Sequence, residues 1–173
     1  MTIHLTPQTV KRLRRELRRA GKREIGGLLM GEDLGNGDFR VVDISVQRSG
    51  GTEVCFIRNP NEHQAELDAF FTRTGKDYRR FNYLGEWHSH PDFDVVPSGR
   101  DIATMLSLIN DSTVGSNFLV LVVARLSGKK VEATASVFTR EAMPFCISLT
   151  TEHEGKMQEW SLVSKWIKKI FRV

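Results

Sequence analysis

With 173 residues, 40% hydrophobic and 27% charged, the chain suits one domain with a substantial core. No apolar run is long enough to span a bilayer, and the opening Met1-Thr2-Ile3-His4-Leu5-Thr6 lacks a charged-then-apolar leader pattern, so a cytoplasmic protein without a membrane segment is expected. A net charge of +4 permits nucleic-acid binding without requiring it, and Cys55 and Cys146, both in apolar strand-like contexts, read as buried thiols rather than a disulfide or a metal pair.

Thr6-Pro7 predicts a helix start, with Thr6 as cap and Pro7 in the first turn. Val10, Leu13, Leu17 and Ala20 form its buried stripe, and Gly21 stops it. Arg12, Arg15 and Arg19 fall on the other face, which is either a solvated face or a docking surface for an acidic partner. Glu24 stands at the head of a strand from Ile25 to Gly31. Its pair Gly26-Gly27 marks either a tight crossing or bulge, or a place where a substrate chain comes close. Gly35 to Asp38 predicts a turn, Phe39 to Gln47 a strand with Val42, Ile44 and Val46 on one face, and Val54 to Ile57 a short strand.

Asn59-Pro60-Asn61 opens a helix bearing Leu67, Phe70 and Phe71, with His63 exposed or partly buried on it. A strand from Asn82 to His88 follows. After Ser98 comes a helix with Ile102, Met105, Leu106 and Ile109 inward, then a loop from Asp111 to Ser116. Phe118 to Ala124 is an unbroken apolar run, as in a strand buried on both faces. Lys129 to Thr139 and Met143 to Leu149 read as strands, and Thr150 to Gly155 as a polar connector. Trp160, Val163, Ile167 and Ile170 repeat at helical spacing, so residues 156–173 are expected to be a C-terminal amphipathic helix packed on the sheet. The order of elements predicts a single α+β domain, αβα-like, over residues 1–173.

The chemistry concentrates in Gly85-Glu86-Trp87-His88-Ser89-His90-Pro91 and its continuation Pro97-Ser98-Gly99-Arg100-Asp101. On a strand, residues i and i+2 share a face, so His88 and His90 can converge on one ion. Pro91 ends the strand, the loop turns back, and Asp101 arrives in the first turn of a helix, where it can add a carboxylate. Two nitrogens and one oxygen with a position left for water are the ligand set of a catalytic zinc site. Ser98 and Asp101 also form a plain helix-start signature, and the two roles are compatible.

His-x-His, seven residues, Ser, two residues, Asp resembles the signature of the JAMM (JAB/MPN+) metallopeptidases, and Glu24-Ile25-Gly26-Gly27-Leu28-Leu29-Met30-Gly31 resembles that family's upstream glutamate segment. The resemblance covers about residues 8 to 140. It implies the JAB/MPN fold, a curved mixed sheet flanked by helices. It also implies Zn2+ on His88, His90 and Asp101, with Glu24 as the general base and Ser98 at the oxyanion. One position departs: Glu86 stands where many members carry an aromatic residue. Strand alternation puts Glu86 on the face of His88, as a carboxylate orienting an imidazole, as a competing base, or as a salt-bridged surface acid. Asp92 and Asp94 read as solvent-facing or substrate-contacting.

The Gly-Glu-Trp-His-Ser-His-Pro core looks like that of bacterial relatives that accompany ubiquitin-like conjugation machinery in antiphage defence operons. The resemblance implies a deconjugating or processing peptidase acting at the C-terminal tail of a ubiquitin-like modifier, with the operon's activating and conjugating enzymes as further partners. The tail would lie along a sheet edge, near Ser49 to Ile57, the loop after Pro91 and Asp111 to Ser116. Three alternatives stand beside it. A RadC-like nucleic-acid-associated protein shares a related pattern, but no helix-hairpin-helix or interleaved aromatic-basic patch accompanies it here. A non-catalytic scaffold would lack the ligands. A peptidase for a sulfur-carrier protein would share the chemistry and prefer a linear tail.

Overall fold

Thr6 and Pro7 start the first helix, α1 (Pro7–Ala20), as their chemistry predicts: the Thr6 hydroxyl accepts from the Thr9 N–H at 3.1 Å, and Gly21 ends the helix at φ +62°. The computed structural model describes residues 1–53, 59–153 and 156–159. Ahead of α1 lies β1 (Thr2–Leu5); after it come β2 (Gly26–Gly35), β3 (Asp38–Ile44), a 3-10 turn (Pro60–Glu62) and α2 (Gln64–Arg73). Then follow β4 (Phe81–Ser89), α3 (Gly99–Asn110), β5 (Phe118–Ser127), β6 (Lys130–Thr139), β7 (Phe145–His153) and β8 (Lys156–Glu159).

The eight strands form one mixed sheet in the order β1-β3-β2-β4-β5-β6-β7-β8. β1 runs parallel to both β3 and β7, pairing Thr2 with Asp38 on one side and Ser148 on the other, so the sheet curls into a barrel-like closure. The α+β class holds, with the sheet more closed than an open layer. β5 pairs in parallel with β4 and antiparallel with β6, which explains its apolar run: Leu119 to Ala124 are all buried. Two cores result. α1 packs Leu13 and Leu17 against Ile3, Val41, Trp87, Val122 and Leu149. α3 packs Met105 and Ile109 against Leu119, Leu121, Val123 and Phe138 on the other side.

Several expectations are corrected. A register shift between Met30 and Gly31 sets Met30 opposite Asp43 and Gly31 opposite Val41, so Val42 is the extra residue of a bulge. Val41 and Ile44, rather than Val42 and Ile44, are therefore buried. The strand expected to reach Gln47 ends at Ile44, and Gln47 makes only an isolated bridge to Gly26. His63, expected to be exposed or half-buried, is 1% exposed and bonds the Ser45 hydroxyl through Nδ1 at 2.7 Å. Thr150 to His153 is not a connector but the end of β7, whose β-branched Thr150 and Thr151 pair with β8. Lys156–Glu159 is consequently strand, not the first turn of the expected C-terminal helix. The rest of that segment, 160–173, and the expected strand Val54 to Ile57 with Cys55 lie outside the described residues. Cys146 is a half-buried free thiol.

The arginine face of α1 is partly used within the fold. Arg12 pairs with Asp43 of β3 at 2.5 Å and with Glu66 of α2 at 3.1 Å. Arg15, Arg19 and Arg48 surround the Glu16 carboxylate, which is 1% exposed.

Candidate metal centre and active site

Two glycines let the strands approach closely enough to build the centre. Gly85 opens the histidine motif at φ +143°, and a Cβ there would lie 2.0 Å from the Val120 carbonyl oxygen on β5. A Cβ on Gly27 would lie 2.1 Å from the Ser45 carbonyl oxygen, which also accepts the Trp87 indole N–H at 2.9 Å. At Gly27 the glycine thus serves a tight backbone crossing. Trp87 points into the α1 core, and by alternation Glu86 and His88 point to the opposite face.

β2 and β4 are antiparallel, with Gly26 beside His88. The pairing continues past the end of β2: the Ser89 N–H donates to the Ile25 carbonyl at 2.8 Å, and the Ile25 N–H donates to the Ser89 hydroxyl at 3.0 Å. The next step of this register sets Glu24 beside His90. Gly26 offers no side chain over His88, which leaves the face open between the two histidines and the glutamate. The Glu24 N–H donates to the Thr52 carbonyl at 2.7 Å, so the segment after Ser49 adjoins the site.

His88 and His90 bring their Nε2 atoms to 3.1 Å from each other, and Asp101 Oδ2 lies 3.4 Å from the first and 3.6 Å from the second. Zinc bonds of about 2.0–2.1 Å at tetrahedral angles place neighbouring ligand atoms about 3.3 Å apart, so the triangle fits such an ion. The donor chemistry fits as well. His90 Nδ1 lies 2.9 Å from the Asp94 carbonyl, which can only accept, so Nδ1 carries the proton and Nε2 presents a lone pair. Three facing acceptors can share one proton between a pair of them, whereas a cation at the centre satisfies all three. Among the described residues this is the one group of three or more His, Cys, Asp or Glu side chains that converge in this way, with ligand atoms within 4.8 Å.

The electrostatics follow from this packing. Burial acts to raise the Asp101 carboxyl, but the imidazoles of His88 and His90 beside it outweigh burial and hold the group well below the usual carboxylate range. Burial pushes Glu24 up, with His90 and then His88 opposing. Burial would lower His90, yet Asp101 and the Asp94 carbonyl outweigh it and raise the imidazole.

Ser98 caps α3: its hydroxyl accepts from the Asp101 N–H at 3.2 Å, while its own N–H donates to Asp101 Oδ2 at 2.6 Å. Asp101 therefore serves the helix start and the metal triangle with one carboxylate. Glu86 is 8% exposed, which removes the surface-acid reading. It sits two residues back along β4, about 7 Å from His88 along the strand. The charges acting on Glu24 are those of His90, His88 and Asp101. The connector Asp111 to Ser116 begins where the 12-residue α3 ends, about 18 Å by helical rise from the helix start at the site. Two contributors escape sequence reasoning. The Asp94 carbonyl is a backbone group with no residue signature, and Ser89 lies in the motif but on the face away from the histidine–aspartate triangle.

A family model described as prokaryotic homologs of the JAB domain matches residues 6–161. A protein of Vibrio cholerae serotype O1 named CD-NTase/cGAS isopeptidase is 32% identical over 123 residues, 68% of this chain and 74% of that one. The ubiquitin carboxyl-terminal hydrolase RPN11 of Saccharomyces cerevisiae is 24% identical over 79% of this chain and 43% of its own length, so the chain spans less than half of that relative. The solution structure of protein DSY2949 from Desulfitobacterium hafniense superposes with a TM-score of 0.67 at 20% identity, covering 88% of this chain and 94% of that one.

Proposed function

The chain belongs to the family of prokaryotic homologs of the JAB domain, and on that premise we propose that it is a zinc-dependent deconjugating peptidase. It hydrolyses an amide or isopeptide bond at the C-terminal tail of a ubiquitin-like protein. The observation that carries the reading is the convergence of His88, His90 and Asp101 beside the buried Glu24. The names of the relatives, an isopeptidase and a ubiquitin hydrolase, support the substrate class. The setting we infer is the cytoplasm of a bacterium with a ubiquitin-like conjugation system of antiphage defence, whose activating and conjugating enzymes are further partners.

His88, His90 and Asp101 would hold the ion. Bound zinc supplies a water of lowered pKa and a Lewis acid for the scissile carbonyl. Glu24 accepts the proton released by the attacking water and returns it to the leaving amine. Its burial suits both halves of that task, because a raised pKa brings the carboxyl closer to the working pH. The Ser98 hydroxyl accepts the cap bond and keeps its own proton to donate to the oxyanion, a contribution of roughly 3 kcal/mol at comparable sites. Asp94 holds His90 in the tautomer that exposes Nε2. Glu86, buried two residues along β4 from His88, lines the same face of the strand rather than taking the proton.

The test is zinc content by mass spectrometry with cleavage of a ubiquitin-like protein fused through its tail. Stoichiometric zinc is expected in the native protein and its loss in His88→Ala. Glu24→Gln keeps the zinc and loses about 10²–10⁴-fold in rate, while Glu86→Gln keeps most activity. A native protein that takes up no zinc would sink the reading, and activity lost only in Glu86→Gln would move the base. Faster cleavage of a linear tail than of an isopeptide would point to sulfur-carrier processing.

A further inference from the structure

The loop between the two halves of the motif is held in an unusual way. Three successive carbonyls, those of Phe93, Asp94 and Val95, are each engaged by a different side chain: one from just past β4, one from β5 and one from β6. The Phe93 carbonyl accepts from Arg125 of β5 at 3.1 Å. The Asp94 carbonyl accepts from His90 Nδ1 at 2.9 Å. The Val95 carbonyl accepts from the Thr134 hydroxyl of β6. The carbonyl that sets the tautomer of His90 is thus bracketed on both sides by side chains of the β5–β6 hairpin.

That hairpin is well placed for the task. Arg125 and Glu132 are cross-strand partners, and Glu132 takes the Arg125 Nε–H at 2.7 Å, leaving the far end of the guanidinium aimed at the loop. The Asp94 carboxylate lies 3.9 Å from the same guanidinium. Thr134 pairs with Val123 in the same register. Ala124, next to Arg125, accepts the backbone N–H of His90 at 2.9 Å. Val95 is buried in the α3 core with Leu119 and Leu121. The loop itself is short of apolar anchors otherwise: Phe93 is 50% exposed.

The geometry points to Arg125 and Thr134 as positioning residues for His90: they fix the 93–95 backbone so that the Asp94 carbonyl holds the imidazole with Nε2 free for the metal. This rests on the reading of His88, His90 and Asp101 as ligands. The two side chains touch neither ion nor substrate and act only through the loop. A planar guanidinium that spans Glu132 and the Phe93 carbonyl has no equivalent in lysine, whose single ammonium cannot hold both in that geometry.

Two readouts test it. The first is the His90 ring tautomer in the metal-free protein, read from long-range proton–nitrogen NMR. The second is zinc affinity by chelator competition. At a pH high enough to leave the imidazole neutral, the native protein should show one His90 tautomer with the proton on Nδ1. Arg125→Ala and Thr134→Val should mix the tautomers and weaken zinc about tenfold, as losses behind a ligating imidazole do. Thr134→Ser should restore both. Val131→Ala, a core truncation in the same hairpin, should lower the urea midpoint and leave tautomer and zinc affinity at native values. Unchanged tautomer and affinity in Arg125→Ala and Thr134→Val would overturn the proposal, as would equal losses in Val131→Ala. A native protein that takes up no zinc but shows the single tautomer, mixed in Arg125→Ala and Thr134→Val, would refute the metallopeptidase reading and still support the loop's role.

Discussion

Ser89 and Ile25 exchange two hydrogen bonds, one through the backbone and one through the serine hydroxyl, at 2.8 and 3.0 Å. The pair joins the segment that carries Glu24 to the strand end that carries both histidines. Ser89 is 1% exposed, so Ser89→Ala would leave the Ile25 N–H without its side-chain partner in a dry place, at a cost of about 1–3 kcal/mol. Urea unfolding measures that loss. If the proposed roles hold, zinc affinity in the same variant should stay within a few-fold of native while turnover falls, because the tie acts on Glu24 rather than on His88, His90 and Asp101.

Asp101 caps α3 and faces both histidines, and a pair of substitutions can separate the cap from the proposed metal role. Asp101→Asn retains an oxygen for the Ser98 N–H and should preserve most of the start of α3, yet weaken zinc strongly through loss of the anionic ligand. Asp101→Ala removes both functions and should lose a further 0.5–2 kcal/mol, roughly, of stability through the cap. Thermal unfolding of the metal-free variants compares the cap alone. Equal stability in Asn and Ala would show that the side-chain half of the cap, the bond from the Ser98 N–H, contributes nothing.

Glu16 predicts an acid sensitivity remote from the centre. Burial acts to raise its carboxyl, but Arg15, Arg48 and Arg19 outweigh it and hold the group below its ordinary value. A folded-state pKa below the unfolded one contributes stability in full above the unfolded value, about 4.3, and loses it as pH falls through the folded value. The urea midpoint should therefore drop on acidification below about pH 4.5, and Glu16→Gln should be less stable than native at pH 7 with a smaller acid drop. The same slope in both proteins would assign the acid sensitivity to other carboxylates.

Gly85→Ala tests the close approach of β4 and β5. At φ +143° an alanine is strained, and its Cβ would meet the Val120 carbonyl oxygen at 2.0 Å. The expected loss is at least about 2 kcal/mol, combining backbone strain with a backbone clash. Gly128→Ala, at φ +60° with nothing within 4 Å of the new methyl, measures positive-φ strain without a clash and should cost about 1 kcal/mol. Equal losses at both sites would mean that β5 yields to the methyl.

The parts of the site visible in the sequence are those set by local spacing. His88 and His90 share a face because strands alternate, and Ser98 with Asp101 marks a helix start because caps have a fixed register. The first helix is equally local, from Thr6 to Gly21. What escaped depends on distant chain. Nothing in Thr2–Leu5 announces pairing with residues near 150, and Lys156–Glu159 becomes a strand only because β7 offers it an edge. The bulge at Val42 inverts an alternation that the residues themselves suggest. His63 is buried by Ser45, eighteen positions earlier in the chain. The Asp94 carbonyl carries no residue identity at all, so its hold on His90 is visible only in three dimensions.

The double pairing of β1 also dictates an order in time. Thr2 to Leu5 leave the ribosome ahead of every other strand of the sheet, yet one of their two neighbours, Ser148 to Thr151, emerges only after β2 to β6 have been made. Loop closure over such a span is slow, and strands awaiting partners expose open edges. The histidines, the glutamate and Asp101 can all be brought together by β2, β4 and α3 well before that seam closes. A nascent chain should thus hold His88, His90, Asp101 and Glu24 in place while its sheet is still unsealed, and the interval before residues 148–151 emerge is when it is most exposed to strand-to-strand aggregation.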